Sequence, residues 1–498
     1  MIINTLFKRA GVSSAVLLVL ASCASPTAIT EQSRSINAPS AWQNEQLTQQ
    51  HSPQITSWLS AFDNATLNKI VQQALAKNYQ LKAQRVNVLL AKERVNVSGA
   101  LDFPELSLAI NNSRRKVVSG DSTNYANSAD VNLQLSYEVD LWGKLSAEQS
   151  QSQLNFAAAK ALYEQQELDL IAEVTRAWFN LVQARQLLAL YRERASNLEK
   201  NLDIIQSSYR LGLSEALDVY LTQNEVKSEL ARVESQQQIV SERARQLELL
   251  IGDYPNAEIF AGVELPKIDD EIMTGLPADI LTNRYDIKSS WFELLALDNG
   301  LAVAHKQRFP SFTISASTGD SGSELSELLS GNALAWSLIG NITTPLFNAG
   351  RLASLEEQAR LAVVQREQQY LDAVYQAFAQ VENGISNQQS LRKRFDYISQ
   401  AEANALAAEK LAFEQYIKGL VSYTTVLESQ RRAFDAQTSV IQLSNELLQN
   451  RIDLYIALGG QALSDTNESD TQNAEHALND QISHVSSQST SNELANRE

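Results

Sequence analysis

The chain has 498 residues, with 41 Lys and Arg against 58 Asp and Glu, a net charge of −17. So acidic a surface repels phosphate backbones and argues against a nucleic-acid partner. Its single cysteine excludes an intrachain disulfide, and the sequence has no His-Glu-x-x-His, cysteine cluster or phosphate-cradling glycine loop. The histidines are His51, His305, His476 and His484, three of them toward the chain ends, and acidic pairs such as Glu356-Glu357 read as solvated helix faces. Neither enzymatic activity nor a cofactor or metal is expected.

Residues 1–22 read as a signal peptide. Lys8 and Arg9 form a positive region, and Ala10 to Ala21 an apolar stretch too short to span a bilayer. It ends Leu20-Ala21-Ser22-Cys23, which resembles a bacterial lipobox, so Cys23 is expected to be acylated and to become the new N-terminus. Ala24 follows, not Asp, which implies sorting to the outer membrane. Residues 23–57, rich in Ser and Gln, read as an extended lipidated tether.

From residue 58 the chain states one plan twice, as a first structural repeat over 58–252, a linker over 253–272 and a second repeat over 273–460. Tyr79, Leu89, Val97 and Phe103-Pro104 recur as Tyr285, Leu295, Val303 and Phe309-Pro310, a shift of about 206. Gly143, Tyr209, Gly212, Leu213 and Gln223 recur as Gly350, Tyr416, Gly419, Leu420 and Gln430, a shift of about 207. Repetition over such a length indicates a tandem architecture, an arrangement that channels and transporters use more than enzymes do.

In the first repeat, alternation predicts strands over 106–110 and 131–139, joined by a polar link from Arg114 to Asp130. Lys144 to Leu211 then runs without Gly or Pro, with Ile171, Val174, Ala177, Trp178 and Leu181 at helical spacing. Such a run makes a helix of about 100 Å. After Gly212 a second helical run covers Leu213 to Ile251. The second repeat has strands over 312–316 and, less cleanly because of Ile339, 334–343, with a link from Thr318 to Gly331. Helical runs follow from Arg351 to Lys418, with Gly384 inside, and from Leu420 to Leu458. Helices this long must pair along their length. Residues 461–498 are polar, acidic and without period, and read as a disordered tail.

Period two with one polar face is the signature of an outer-membrane strand. Four strands cannot close a barrel, and an open edge in lipid is not tolerated, so the chain must oligomerise. Two copies would give eight strands and three would give twelve; periodicity does not choose.

Tyr137-Glu138-Val139-Asp140-Leu141-Trp142-Gly143-Lys144-Leu145 resembles the strand-to-helix signature of outer-membrane efflux proteins, the TolC-like family, with Pro345 to Leu352 as its counterpart. Gly275 to Ile287 is similar to the linker that opens the second repeat in the lipoprotein branch serving resistance-nodulation-division type efflux systems. The resemblance covers residues from about Trp58 to Gly460. It implies a mainly α fold with a small β part: a homotrimer whose four strands per chain build a 12-stranded transmembrane barrel, continued by a long α-helical barrel. The implied partners are a periplasmic adaptor, an inner-membrane pump and the lipid of the outer membrane. The implied function is passive exit of small toxic compounds, with a type I protein secretion duct or a non-conducting structural lipoprotein as alternatives. Three departures stand out. Tyr285 replaces a usual proline and Asn348-Ala349 a common Asp-Gly, changes expected to alter loop stiffness only; Thr425 occupies a position often held by Asp.

The candidate site lies at the two glycine turns. Tyr209-Arg210-Leu211-Gly212 and Tyr416-Ile417-Lys418-Gly419 each end a long helix and reverse the chain. In the resembling channels these turns form the periplasmic tip that closes the pore. Asp218 and Glu428 follow the turns, and on a threefold axis either could form an acidic ring. Asp218 could instead accept a hydrogen bond from Tyr416. Thr425 rules out a second ring of Asp.

Overall fold

The computed structural model describes residues 26–34, 36, 38–43, 58–262, 264–266, 277–324 and 334–460. The signal peptide, Cys23 and the tail over 461–498 lie outside the described residues. A short helix α1 (Glu31–Arg34) and a 3-10 turn (Trp58–Phe62) precede the first repeat. That repeat runs α2 (Ala65–Lys77), α3 (Tyr79–Ala100), β1 (Glu105–Ser119), β2 (Ser122–Val139), α4 (Lys144–Arg210) and α5 (Ala216–Ile251). The second runs α6 (Asp279–Asn283), α7 (Tyr285–Lys306), β3 (Ser311–Gly322), β4 (Ala335–Thr343), α8 (Arg351–Ile417) and α9 (Tyr423–Ala457). Both long helices, α4 and α8, have 67 residues, and α3 and α7 both have 22. The fold is mainly helical with one small antiparallel sheet.

The sheet has the order β1-β2-β3-β4. Its register aligns largely apolar rows across all four strands, as Leu106–Leu135–Ala316–Leu338 and Leu108–Leu133–Thr318–Trp336. Leu106, Leu108, Trp336 and Leu338 are all exposed, Trp336 by 80 %. A sheet that shows water its apolar face is built for another medium. The strands also run further than alternation suggested. Arg114 to Asp130 is not a link: β1 and β2 pair all the way to Ser119 and Ser122, and only Gly120 and Asp121 form the turn. Polar side chains on both faces hide the period there, while backbone pairing and the stacking of Arg114 on Tyr125 (4.9 Å) continue the hairpin. Likewise β3 extends to Gly322, inside the link expected from Thr318 to Gly331.

Below the sheet, each half has its own core. One joins α2, α4 and α5 with Leu448, Ile452 and Tyr455 of α9. The other joins α7, α8 and α9. Gly384 lets α9 close on α8, since a Cβ there would stand 3.0 Å from Leu454 Cδ1.

The sheet-to-helix junction differs between the halves. Asp140 accepts from Leu145 N (3.1 Å), Ser146 N (2.9 Å) and Ser146 Oγ (2.7 Å), capping α4. Partial burial pushes its carboxyl up, but these bonds outweigh burial and hold it below its ordinary value. Asn348 offers α8 only a 3.4 Å bond to Leu352 N, and Ala349 has φ +50°. The Asn-Ala pair therefore weakens a cap and strains the backbone, beyond the change in loop stiffness expected. Tyr285 is the first residue of α7, the position where proline is favoured. Glu356 is not a solvated residue: it bonds His305 Nδ1 (2.8 Å) and Arg308 Nη1 (2.5 Å), fixing α8 to the end of α7.

The described part of the tether is a docked strap. Thr27 Oγ1 and Ala28 N donate to Asp298 (3.0 and 3.1 Å), and Gln43 N donates to Glu382 (2.8 Å). Between them, Thr30 N, Thr30 Oγ1 and Ser33 Oγ all donate to one oxygen of Glu367, at 2.6, 2.7 and 2.6 Å. Ile29 and Trp42 are buried. The segment has no period because its partners are on α7 and α8, hundreds of residues away.

Glu367 is 1 % exposed. Burial pushes its carboxyl up, and the bonds from Ser33 and Thr30 more than reverse this, leaving it below its ordinary 4.5. With its folded pKa depressed, the clasp is at full strength above the ordinary carboxylate value and is lost as pH falls through the folded pKa. Glu367→Ala should cost about 2–3 kcal/mol, as expected for hydrogen bonds to a charged group. It should speed proteolysis and amide exchange of residues 27–34 and 38–43 at neutral pH, as acid below the depressed pKa of Glu367 should in the wild type. Equal protection in the variant at neutral pH would contradict the clasp.

Candidate functional site at the helical turns

Gly212 and Gly419 adopt φ +75° and +72°. Leu213 N reaches back to Ser208 O (2.8 Å) and Leu420 N to Gln415 O (2.9 Å), so each turn satisfies the carbonyls that its long helix leaves open. The left-handed conformation explains why glycine occupies both positions.

The turns bring Tyr416 and Asp218 together. Tyr416 Oη donates to Asp218 Oδ2 at 3.0 Å, linking the end of α8 to the first turn of α5, within one chain. Burial first, and then the bond to Asp218, push the Tyr416 hydroxyl up to about 12, so it remains a donor at every physiological pH. Asp218 also lies where the amino end of α5 favours negative charge. Beneath this link Tyr416 packs against Tyr423 (ring centroids 5.2 Å), which is 1 % exposed in a small cluster with Ile205, Ala412 and Val426.

The other predicted residues stand apart from that link. Tyr209 is half-exposed, and the Thr425 hydroxyl is 3.2 Å from Ser422 Oγ. Glu428 accepts from Arg431 Nη2 (3.0 Å) and Arg432 Nε (2.9 Å) on its own helix. Cys23 lies outside the described residues.

Two features escaped the sequence reading. Tyr423 has Ala216 as its repeat counterpart, so the internal comparison does not flag it. The second feature is a buried ion cluster. Arg194 of α4 meets Glu225 (2.7 Å) and Glu229 (3.3 Å) of α5, and its guanidinium lies 4.1 Å from the ring centroid of Phe434 on α9. Glu229 is fully buried and also meets Arg232 at 3.2 Å. Burial pushes the Glu229 carboxyl up by more than the two arginines draw it down. Glu225 and Glu229 at helical spacing were the available signal, but a single sequence does not place Arg194 opposite them.

With this geometry in hand, the sequence matches the outer membrane efflux protein family over residues 70–253 and 276–460. The chain belongs to that family. The two matched stretches coincide with the two halves of the repeat. Membership assigns the protein to the efflux channels of the outer membrane and not to enzymes. The probable outer membrane lipoprotein SilC of Salmonella typhimurium is 25% identical over 469 residues, covering 91% of this chain and 99% of its own. The toluene efflux pump outer membrane protein TtgF of Pseudomonas putida is 26% identical over 408 residues, covering 81% and 85%. Among solved structures, the CmeC outer membrane channel of Campylobacter jejuni shares the fold with a TM-score of 0.80 at 21% identity, over 90% of this chain and 98% of that one.

Arg194 ties both helices of the first half to the second. Arg194→Ala should cost about 3 kcal/mol, because it strips a partner from a buried carboxylate that keeps only Arg232. Arg194→Lys should recover only part of this, since an ammonium cannot reproduce the planar stacking on Phe434. Thermal melting of the detergent-solubilised protein measures both, and an unchanged midpoint for Arg194→Ala would refute the role.

Proposed function

We propose that three copies of this chain form the exit duct of a tripartite efflux system, conducting small toxic compounds passively across the outer membrane. The observation that carries this is the sheet. Among the described residues, strands β1 and β4 end it with no further strand of this chain beside them, and its apolar face is exposed. In lipid such edges must pair, and three copies of four strands supply a closed barrel of twelve. The paired long helices continue the duct into the periplasm. The energy for transport comes from an inner-membrane pump, reached through a periplasmic adaptor.

Acylation of Cys23 fits this placement. The four peptide steps from Cys23 to Thr27 span at most about 14 Å. Thr27 is held at Asp298 on α7, whose last residue, Lys306, donates to Gly143 O (3.0 Å) directly beneath the sheet. Lys306 is eight helical steps beyond Asp298, about 12 Å of rise. The lipid is thus within reach of the membrane that the barrel spans. Mass spectrometry of the mature wild type should find residues 1–22 removed and Cys23 acylated, and an unmodified Cys23 with Met1 retained would refute this part.

In the assembled duct the turns converge at the periplasmic tip, and the gate consists of Asp218, Tyr416, Tyr209, Thr425 and Glu428 around Gly212 and Gly419. The Tyr416–Asp218 bond is the link that holds α8 against α5. Losing one charge-assisted bond at a half-buried site is worth about 1.5 kcal/mol. That corresponds to about a tenfold rise in the open population. Wild type should sediment as a trimer and give small discrete conductances in planar bilayers, while Asp218→Ala and Tyr416→Phe should both increase current. A stable folded monomer would refute the duct. Wild-type currents in both variants would remove this bond from the gate.

A further inference from the structure

The end of the β1–β2 hairpin furthest from the helices places two cations on the apolar face of the sheet. Alternate residues of a strand share a face, and so do residues directly opposite in an antiparallel pair. Arg114 and Lys116 therefore stand on the same face of β1 as Leu106, Leu108 and Ile110, opposite Asn127 and Tyr125 of β2. Arg115, between them, is on the other face with Ser107 and Asn111, the polar side. The Arg114 guanidinium lies 4.9 Å and the Lys116 ammonium 5.9 Å from the centre of the Tyr125 ring, which is 58% exposed. Among the described residues, neither cation is held in an ion pair.

Two tyrosines set the level of these cations. Tyr125 and Tyr137 are on that same face of β2, twelve residues apart. At about 3.4 Å per residue and a tilt of about 40°, they differ in height by about 31 Å, the thickness of a hydrocarbon core. Outer-membrane barrels carry aromatic girdles at both edges of their apolar band. Lys116 is thus level with the outer girdle and Arg114 is one row inside it, where long cationic side chains turn their charged ends to the headgroups. Carboxylates do not cancel them on this face. Asp121 is in the turn, and Asp130 is on the polar face, accepting from Asn111 at 2.9 Å. Asp320 shares the apolar face but is 5% exposed and sits opposite Val131, two strands from β1 and about 17 Å from Arg114 by strand spacing. That exceeds the screening length at physiological salt. Even with Asp121 and Glu324 (two residues past β3) counted, the described residues at this end hold three cations against two carboxylates.

We propose that Arg114 and Lys116, aligned over Tyr125, bind the phosphate groups of the outer-leaflet glycolipid. Arg114 offers a planar fork that matches two phosphate oxygens, and Lys116 a point charge beside it. The Tyr125 ring keeps both stems on the lipid side of the hairpin. The inference rests on the exit-duct reading, which puts the helices in the periplasm and this end of the hairpin at the outer surface. It adds a lipid partner to that reading: each chain of the trimer holds one phosphorylated headgroup against its longest hairpin, fixing the depth of the barrel.

The test adds bisphosphorylated lipid A to the full-length trimer in neutral detergent and counts bound lipid by native mass spectrometry. Wild type should bind it severalfold better than lipid A stripped of its phosphates, and the preference should shrink as salt rises. Arg114→Gln with Lys116→Gln should abolish the preference. Arg115→Gln removes a charge from the same strand on the opposite face and should keep it. Both variants are on an exposed hairpin, so trimers with melting temperatures close to wild type are expected and exclude misfolding as the cause. A double variant that keeps the preference, or an Arg115→Gln variant that loses it equally, would overturn the site. Displacement of lipid A by inorganic phosphate at constant ionic strength would assign the site to a free anion and overturn the lipid. A full-length protein that stays monomeric and does not insert into lipid vesicles would instead overturn the duct reading itself.

Discussion

A β-strand in hydrocarbon cannot leave its backbone N–H and C=O groups unpaired, and the rest of this structure depends on that constraint. Four strands per chain are too few to close on themselves, so both β1 and β4 present an edge. Aligned rows from Leu106 to Leu338 and from Leu108 to Trp336 make the same point from the side-chain direction. In the proposed trimer the sheet is one third of a closed barrel, and the long helices hang from it. Their junctions are accordingly reinforced. Trp142 Nε1 donates to Pro310 O (2.6 Å), Lys306 Nζ to Gly143 O (3.0 Å), and Glu356 clamps His305 and Arg308. Each contact joins a residue of one element to the start or end of another, so a displaced strand drags a helix with it.

Along the helices the problem is different. Two 67-residue helices cannot be held by one core, and the contacts are distributed instead. One core serves each half near the middle, Tyr423 anchors the tip, and Arg194 bridges the span between them. Measured from the turn at Arg210, Arg194 is about 24 Å up the helix. The Tyr416–Asp218 bond is exposed to solvent on one side, whereas Glu229 is fully buried. Breaking the first costs little and leaves the second standing. A tip that opens while the shaft stays assembled needs that ordering of strengths.

Much of this architecture was legible in the sequence. Proline-free stretches bounded by glycines set the long helices to within a residue or two, because Gly143, Gly212, Gly350 and Gly419 are needed for left-handed backbone at their ends. Alternation located all four strands but cut β1, β2 and β3 short, since strand segments polar on both faces carry no period. The docking of Thr27 to Gln43 was illegible for another reason: its hydrogen bonds go to Asp298, Glu367 and Glu382, and nothing local signals a partner so distant. At the tip, the matched turns drew attention to Asp218 and Tyr416, which do meet. Glu428 was read without its two arginines, although their spacing on a helix was in plain view.

The internal repeat separates what the scaffold requires from what the site adds. Where the halves agree, at the turn glycines, the junction Phe-Pro pairs and the helix lengths, the shared residues satisfy backbone geometry that both halves face. The residues in special environments sit where the halves disagree. Tyr423 matches Ala216, Arg194 matches Ala401, Phe434 matches Lys227, and Asp218 matches Thr425. The Arg194–Phe434 contact and the Tyr416–Asp218 bond each join a first-half residue to a second-half residue, and three of these four differ from their repeat counterparts. A perfectly repeated hairpin would offer both of its copies the same partners, and nothing would favour contact between halves over contact within one. Divergence at a few positions removes that degeneracy. It lets two copies of one hairpin recognise each other as different.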